Sequence, residues 1–214
     1  MPKCKICKEP FVKTRPIQPT CKSYDCMVAF AKNVANNKLK RNKQEEKRKW
    51  NAEKIVLREK IKTLSDYLKD LQTNINAIVR LIDKGCGCIC TDSTNGKKNA
   101  GHYRSVQSHP TIRFHLDNIH LQSEHSNTYR SGDTLRYQAG LKKVYGEDYF
   151  EFVNSLSLIQ PIQLGKEEVK EKIAIAKEII KELKSNDLTY DFKERIELRK
   201  IYNEKLGIYT LNQQ

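Results

Sequence analysis

The sequence predicts an α+β protein in four parts: an N-terminal zinc knuckle, a long basic helix, a small β-β-α core that binds metal, and a closing pair of C-terminal helices. Three observations predict it. Two cysteine pairs stand near the start, Cys4 with Cys7 and Cys21 with Cys26. Neither proline nor glycine interrupts the chain between Lys22 and Lys84. All five histidines fall in one window, from His102 to His125, just after a stretch of turn residues. The matching divisions are residues 1–30, 31–84, 85–160 and 161–214.

Composition narrows what these parts can do. Of 214 residues, 38% are hydrophobic and 31% charged, which suits small modules joined by solvated helices better than one large core. Forty basic residues against 26 acidic ones give a net charge of +14, which points to a polyanionic partner. Nucleic acid comes first and an anionic membrane surface second. No apolar run approaches the roughly 18 residues that span a bilayer, and Met1-Pro2-Lys3-Cys4 opens without an apolar signal region. A soluble cytoplasmic protein with no membrane partner is the expectation. In a reducing compartment its seven cysteines serve as metal ligands rather than as disulfides.

The first part rests on Cys4, Cys7, Cys21 and Cys26. Cys4-Lys5-Ile6-Cys7 is a CxxC knuckle, and the second pair follows after a loop that Pro10, Pro16 and Pro19 keep from becoming helical. Two such pairs match a tetrahedral four-cysteine zinc site, where the metal supplies most of the folding energy. Lysines and arginines around the knuckle give it a basic surface, but the knuckle is a scaffold and not a catalytic signal.

In the second part the basic run holds Lys38, Lys40, Arg41, Lys43, Lys47, Arg48 and Lys49, offset only by Glu45 and Glu46. Lys40, Arg41, Lys43 and Arg48 are the candidate contacts to a DNA backbone, binding phosphates without reading sequence. Leu57, Ile61, Leu64, Leu68, Leu71, Ile75, Ile78 and Ile82 then keep an alternating spacing of four and three, a heptad rhythm. Such a seam pairs either with its copy in a homodimer or with the C-terminal helices of the same chain.

The third part begins at Gly85, with Cys86, Cys88 and Cys90 at alternate positions. Asn95-Gly96 is a hairpin signal. Gly101-His102-Tyr103 is expected in or just after a strand, Thr111 to Phe114 as a short extended piece, and Asn118 to Arg130 as a loop entering a short helix. His102, Asn118 and Asn127 have the order and spacing of a ββα-metal (HNH-type) nuclease site. Phosphodiester cleavage needs a base near neutral pH, which histidine supplies, and a cation to neutralise charge on the phosphate. In that reading His102 is the base and Asn118 orients its ring or braces the loop. Asn127 and His120 hold the metal, magnesium or manganese, and Arg104 or Arg113 steadies the phosphate. Each residue also has a plainer role: a hydrogen-bonded structural histidine, or a turn asparagine.

Those residues carry a resemblance. Ala100-Gly101-His102-Tyr103-Arg104, Ile112-Arg113-Phe114, Asn118-Ile119-His120, Gln122, Asn127 and Ser131-Gly132 resemble the NinG/Rap recombination endonuclease family of tailed phages and their prophages. The likeness covers most of the chain and is most specific from 100 to 132. It implies a structure-specific endonuclease that cuts branched recombination intermediates, such as Holliday junctions and D-loops, with a divalent metal, in the host cytoplasm.

The sequence departs from that family in two places. A Gln-Cys-x-x-Cys-Asn element is expected where Gln122-Ser123-Glu124-His125-Ser126-Asn127 stands, and a CxxC pair where Cys86, Cys88 and Cys90 alternate. A second zinc would have to use Cys86, Cys88, Cys90 and His125. Serine hydroxyls replace thiolates poorly, so absence or weakening of that site is favoured. In addition, Gly101 and Asn99 stand where acidic residues are expected. A non-catalytic, zinc-containing DNA-binding or recombination accessory protein is therefore the alternative reading, and a regulator built on the knuckle a more distant third.

The last part is read as follows. Tyr145, Tyr149, Phe150 and Phe152 mark a small packing element, and Pro161 and Gly165 a linker. Val169, Ile173, Ala176, Ile180 and Leu183 recur at helical spacing, and Asp191 to Leu206 repeats the theme. Two surface-packed helices are expected, with no function visible in them.

Overall fold

The computed structural model describes residues 1–129 and 133–209; Ser131 and Gly132 of the family motif lie outside them. It is an α+β chain, mostly helical with a small two-stranded sheet, and it divides into two compact units, Met1–Lys62 and Thr63–Gln214.

The first unit holds the cysteine knuckle and α1, Tyr24–Ile61. Asp25 in its first turn and Arg58 and Lys60 in its last complement the helix dipole. At 38 residues α1 is about 57 Å long, and Cys26 is its single buried residue.

The uninterrupted helix expected as far as Lys84 is broken at Lys62–Thr63. Helix α2, Leu64–Ile82, opens on a capping box: the Thr63 hydroxyl accepts the Asp66 N–H, and the Asp66 carboxylate accepts the Thr63 N–H at 3.0 Å. Satisfying two end amides reciprocally makes a new helix start here without proline or glycine. The heptad seam is therefore cut in two. Leu57 and Ile61 on α1 are exposed. Leu71, Ile75, Ile78 and Ile82 on α2 are fully buried, in a core shared with Val169, Ile173, Ala176, Ile179 and Leu183 of α5, Lys166–Asn186. Of the two partners open to the seam, α2 takes the one within the chain.

In the second unit β1, Lys98–His102, pairs antiparallel with β2, Ile119–Ser123, placing Gly101 opposite His120 and His102 opposite Ile119. Three expectations are corrected here. The Asn95-Gly96 turn leads into β1 and closes no hairpin, because Cys86 to Cys90 form no strand. Thr111 to Phe114 is not extended; Pro110 opens a 3-10 turn, Pro110–Ile112, as proline does at a first helical position. Asn118 ends a second 3-10 turn, and the strand follows it directly. After β2 come a π-type turn, His125–Tyr129, then α3, Thr134–Tyr145, and α4, Glu147–Ser155.

The C-terminal pair is α5 and α6, Phe192–Leu206. These helices are more than surface packing. Beside the core residues of α5, α6 buries Tyr202 and Leu206 together with Arg195, Arg199 and Asn203. Residues 63–209 thus share one unit where separate divisions at 84 and 160 were expected. A second core gathers Tyr103 and Ile112 with Tyr137, Leu141, Phe150 and Val153 of α3 and α4. Among the described residues no helix is long and apolar enough to cross a membrane.

Candidate functional site

The knuckle brings its four predicted ligands together. The sulfurs of Cys4, Cys7, Cys21 and Cys26 all lie within 4.8 Å of one another, with Cys7 and Cys21 at 4.0 Å. A tetrahedral zinc with Zn–S bonds of about 2.3 Å sets its sulfurs about 3.8 Å apart, so this donor set fits the ion. The looser second pair has a local cause: Cys21 precedes α1, and Cys26 lies in its first turn. At Cys4 burial opposes ionisation, but hydrogen bonds from Cys21, Ile6 and Cys7 outweigh it and draw the thiol down to about 6. At Cys26 burial and the neighbouring thiols push it up to about 12. Sulfurs so crowded cannot all ionise without a cation among them.

The second feature is an open cleft of about 410 Å³ in the larger unit, lined by His102, Arg104, Ser105, His109, Asn127 and Thr134 among others. His102 ends β1. Its Nε2 lies 2.9 Å from the Arg113 carbonyl oxygen. A carbonyl only accepts, so Nε2 carries the ring proton and Nδ1 is left with its lone pair. Burial lowers the pKa of His102 below 6.5; the Arg113 carbonyl opposes this, and the Arg113 charge adds to it. The ring is held neutral and in one tautomer.

Asn118, fully buried, braces the long loop between the strands. Its Oδ1 accepts the Arg104 N–H at 2.9 Å, while Nδ2 donates to the carbonyls of Arg104 at 3.1 Å and Ile112 at 3.3 Å. None of these hydrogen bonds is to the His102 ring. Arg104 is fixed by the side-chain oxygen of Asn154 and lies with its guanidinium 4.9 Å from the centre of the Tyr103 ring.

Several predicted residues are elsewhere. His120 does not reach the cleft with Asn127. It is buried, its Nδ1 is 3.1 Å from the Tyr137 hydroxyl, and its Nε2 is 3.2 Å from the Tyr149 hydroxyl. With both nitrogens engaged on a core strand it is structural, and burial, then Arg199 and Arg195, hold its pKa well below the usual value. Arg113 contributes its carbonyl to His102, not its charge: its guanidinium bonds Gln72 and lies 4.7 Å from the centre of the Phe114 ring, on a separate cleft. Cys86, Cys88, Cys90 and His125 form no ligand group, the knuckle being the one such cluster among the described residues. Cys86 accepts from Arg195, Cys88 from the Ser123 N–H and Cys90 from the Gln122 amide. The Ser123 hydroxyl in turn accepts the Ser126 N–H. Hydrogen bonds therefore engage Ser123 and Ser126, the two positions where the resemblance led to an expectation of cysteine. Lys40, Arg41, Lys43 and Arg48 are all exposed on α1.

Sequence reasoning passed over His109, which lines the cleft beside His102, and Asn154, which anchors Arg104. The crowding of histidines pointed toward His109, but no local pattern marked Asn154, which sits 50 residues away on α4. Gly101 has a packing reason. A Cβ there would lie 2.0 Å from the Gln122 side-chain oxygen, so no acidic residue fits just before His102 without moving Gln122. Among the described residues that line the cleft there is no carboxylate.

A family profile described as bacteriophage lambda NinG protein matches residues 1–186. The chain belongs to the NinG family. It is 30% identical to protein NinG of Escherichia phage 933W over 164 residues, 72% of this chain and 80% of that protein. To protein NinG of Escherichia phage lambda it is 32% identical over 96 residues, 44% of this chain and 47% of that protein. To protein NinG of Salmonella phage P22 it is 35% identical over 82 residues, 38% and 40% of the two chains. The match thus spans about half of the lambda protein and four fifths of the 933W protein. No solved structure matches this NinG chain.

Proposed function

We propose that this NinG protein is a metal-dependent endonuclease of the HNH type that cuts branched DNA, Holliday junctions and D-loops, during phage recombination in the host cytoplasm. One observation carries the proposal. His102 is neutral, fixed in one tautomer by the Arg113 carbonyl, and lines an open cleft with Arg104 and Asn127. A ring so held keeps a lone pair on Nδ1, which is what a base taking a proton from water requires. Arg104 offers a guanidinium to a phosphate in the same cleft. Asn118 sets where the loop between them runs.

Asn127 lines the same cleft, and its amide oxygen would be the residue's ligand to a magnesium or manganese ion, with phosphate oxygens and water as the ion's other ligands. Such an ion, when bound, supplies neutralisation of charge on the scissile phosphate and the leaving oxygen. The basic α1 supplies non-specific backbone contacts through Lys40, Arg41, Lys43 and Arg48. Since α2 spends its part of the heptad on α5, a homodimer making paired incisions would have to form through other surfaces.

The test is His102→Ala incubated with a labelled four-way junction, with and without magnesium or manganese. Cutting should be abolished and junction binding kept. Full cutting by that variant would remove the mechanism. A second reading, a non-catalytic accessory protein that binds branched DNA, is favoured by the lack of a carboxylate among the lining residues. Metal-independent binding with no incision by the unaltered protein would select it.

A further inference from the structure

We propose that Trp50 on α1 is a stacking contact for the unpaired bases of a DNA branch. This rests on the reading that α1 binds DNA, and adds which part of the DNA it takes. Trp50 is the sole tryptophan of the chain, and it is 60% exposed at the C-terminal end of the basic run. Large aromatic side chains bury their area when they serve a core; this one lies on a helix whose single buried residue is Cys26.

Its surroundings choose the partner. Residues three and four apart share a helix face, so Lys47 and Lys54 stand one turn to either side of the indole, among Glu46 and Glu53, with Lys43 and Arg58 a further turn out. Lys49 is tied to Glu45, whereas Lys47 and Lys54 enter no ion pair among the described residues. A flat ring between uncommitted ammonium groups matches a ligand that offers phosphates and aromatic faces together. Nucleic acid is that ligand, and sequence-tolerant stacking needs a base face that is open, as in a single strand or at a branch point. Duplex DNA engages the cations but keeps its base faces covered. A second copy of the chain is a poorer occupant: in parallel register it would set Lys47 against Lys47 and Lys54 against Lys54 beside the ring.

Because there is one tryptophan, its emission reports this site alone. The full chain is titrated with oligo-dT, a four-way junction and a blunt duplex, and binding is followed separately by the anisotropy of a dye on each DNA. Emission should be quenched at saturation by oligo-dT and the junction, and much less by the duplex. Trp50→Ala should weaken binding of oligo-dT by about tenfold, with duplex affinity nearly unchanged, and Trp50→Phe should recover most of the loss. The position is exposed, so these variants should keep the fold, which circular dichroism checks. Anisotropy that rises without quenching, or equal quenching on all three DNAs, overturns the stacking contact while leaving DNA binding in place. No anisotropy change on any DNA overturns both. A blue shift of emission with rising protein concentration, before DNA is added, would assign the face to a second copy instead.

Discussion

Arg199 Nη2 sits 2.8 and 2.9 Å from the two carboxylate oxygens of Asp83, and both side chains are buried. Asp83 closes α2, and its second oxygen also accepts the Leu121 N–H of β2 at 3.0 Å, so one ion pair joins α2, β2 and α6. Burial opposes the charge on Arg199, but Asp83 outweighs it and its pKa rises well above the usual value. Removing Asp83 leaves Arg199 charged and unpaired in the interior, and removing Arg199 leaves Asp83 with only the more distant Arg195, at 3.8 Å. Arg199→Ala should therefore cost about 3–5 kcal/mol, measured by chemical denaturation of the full chain. Asp83→Ala combined with Arg199→Ala should cost clearly less than the two single losses together. Additive losses would mean that the pair is not the joint.

The knuckle should carry the whole zinc content of the protein. Elemental analysis of the purified chain should find one zinc per molecule, because Cys86, Cys88 and Cys90 are spent on Arg195, Ser123 and Gln122. Cys7→Ser should lose that zinc, and Cys88→Ser should retain it. A chelator should unfold the region around Cys4 to Cys26, detected as faster amide exchange there, and leave the larger unit protected. Two zincs per chain would restore a metal to the core.

What the sequence made legible follows how local each signal is. The knuckle was readable because zinc ligation is written in cysteine spacing, and α5 because its apolar residues recur along one helix. The break at Thr63 was also written locally, in Thr63 and Asp66, but the missing proline and glycine drew attention away from the capping box. His120 could not be placed by pattern. Its fate depends on Tyr137 and Tyr149, 17 and 29 residues further on, which meet both ring nitrogens. Arg195, Arg199 and Asn203 recur every four residues on α6 and mimic a solvated stripe. Only the position of Asp83, 116 residues from Arg199, turns that stripe inward. Charge patterns alone do not say which side of a helix is dry.

Acid should weaken both the proposed activity and the fold, from one cause. His102, His115 and His120 all have pKa values pulled below 6.5, in each case chiefly by burial. Above pH 6.5 these rings are neutral whether the chain is folded or not, and they make no pH-dependent difference. Below it the unfolded chain takes up protons that the folded one refuses, so stability falls as pH drops from 6.5 toward the folded-state values. The contribution of these histidines to the denaturation midpoint, read as the difference from a variant lacking them, should be flat above neutrality and fall steadily below pH 6.5. Cutting, which requires neutral His102, should keep its plateau to a lower pH than an unperturbed histidine would allow. An acidic limb centred above 6.5 would exclude His102 as the base.

Asn118 gives the most direct test of how the loop serves the cleft. Tyr103 donates its N–H to the Asn118 carbonyl at 2.8 Å, and the side chain then holds Arg104 by both its amide and its carbonyl. Asn118→Asp nearly keeps the shape but replaces the donating NH2 group with an oxygen aimed at the carbonyls of Arg104 and Ile112. Stability should fall by about 1–3 kcal/mol, and exchange of the Arg104 amide should speed up. Displacing a positioned group by an ångström can cost about a hundredfold in rate, so cutting should drop far more than junction affinity, since the proposed binding draws on α1 as well. An equal loss of both would make Asn118 a stability residue alone. Unchanged cutting with a faster-exchanging Arg104 would show that the loop need not be held for the chemistry to proceed.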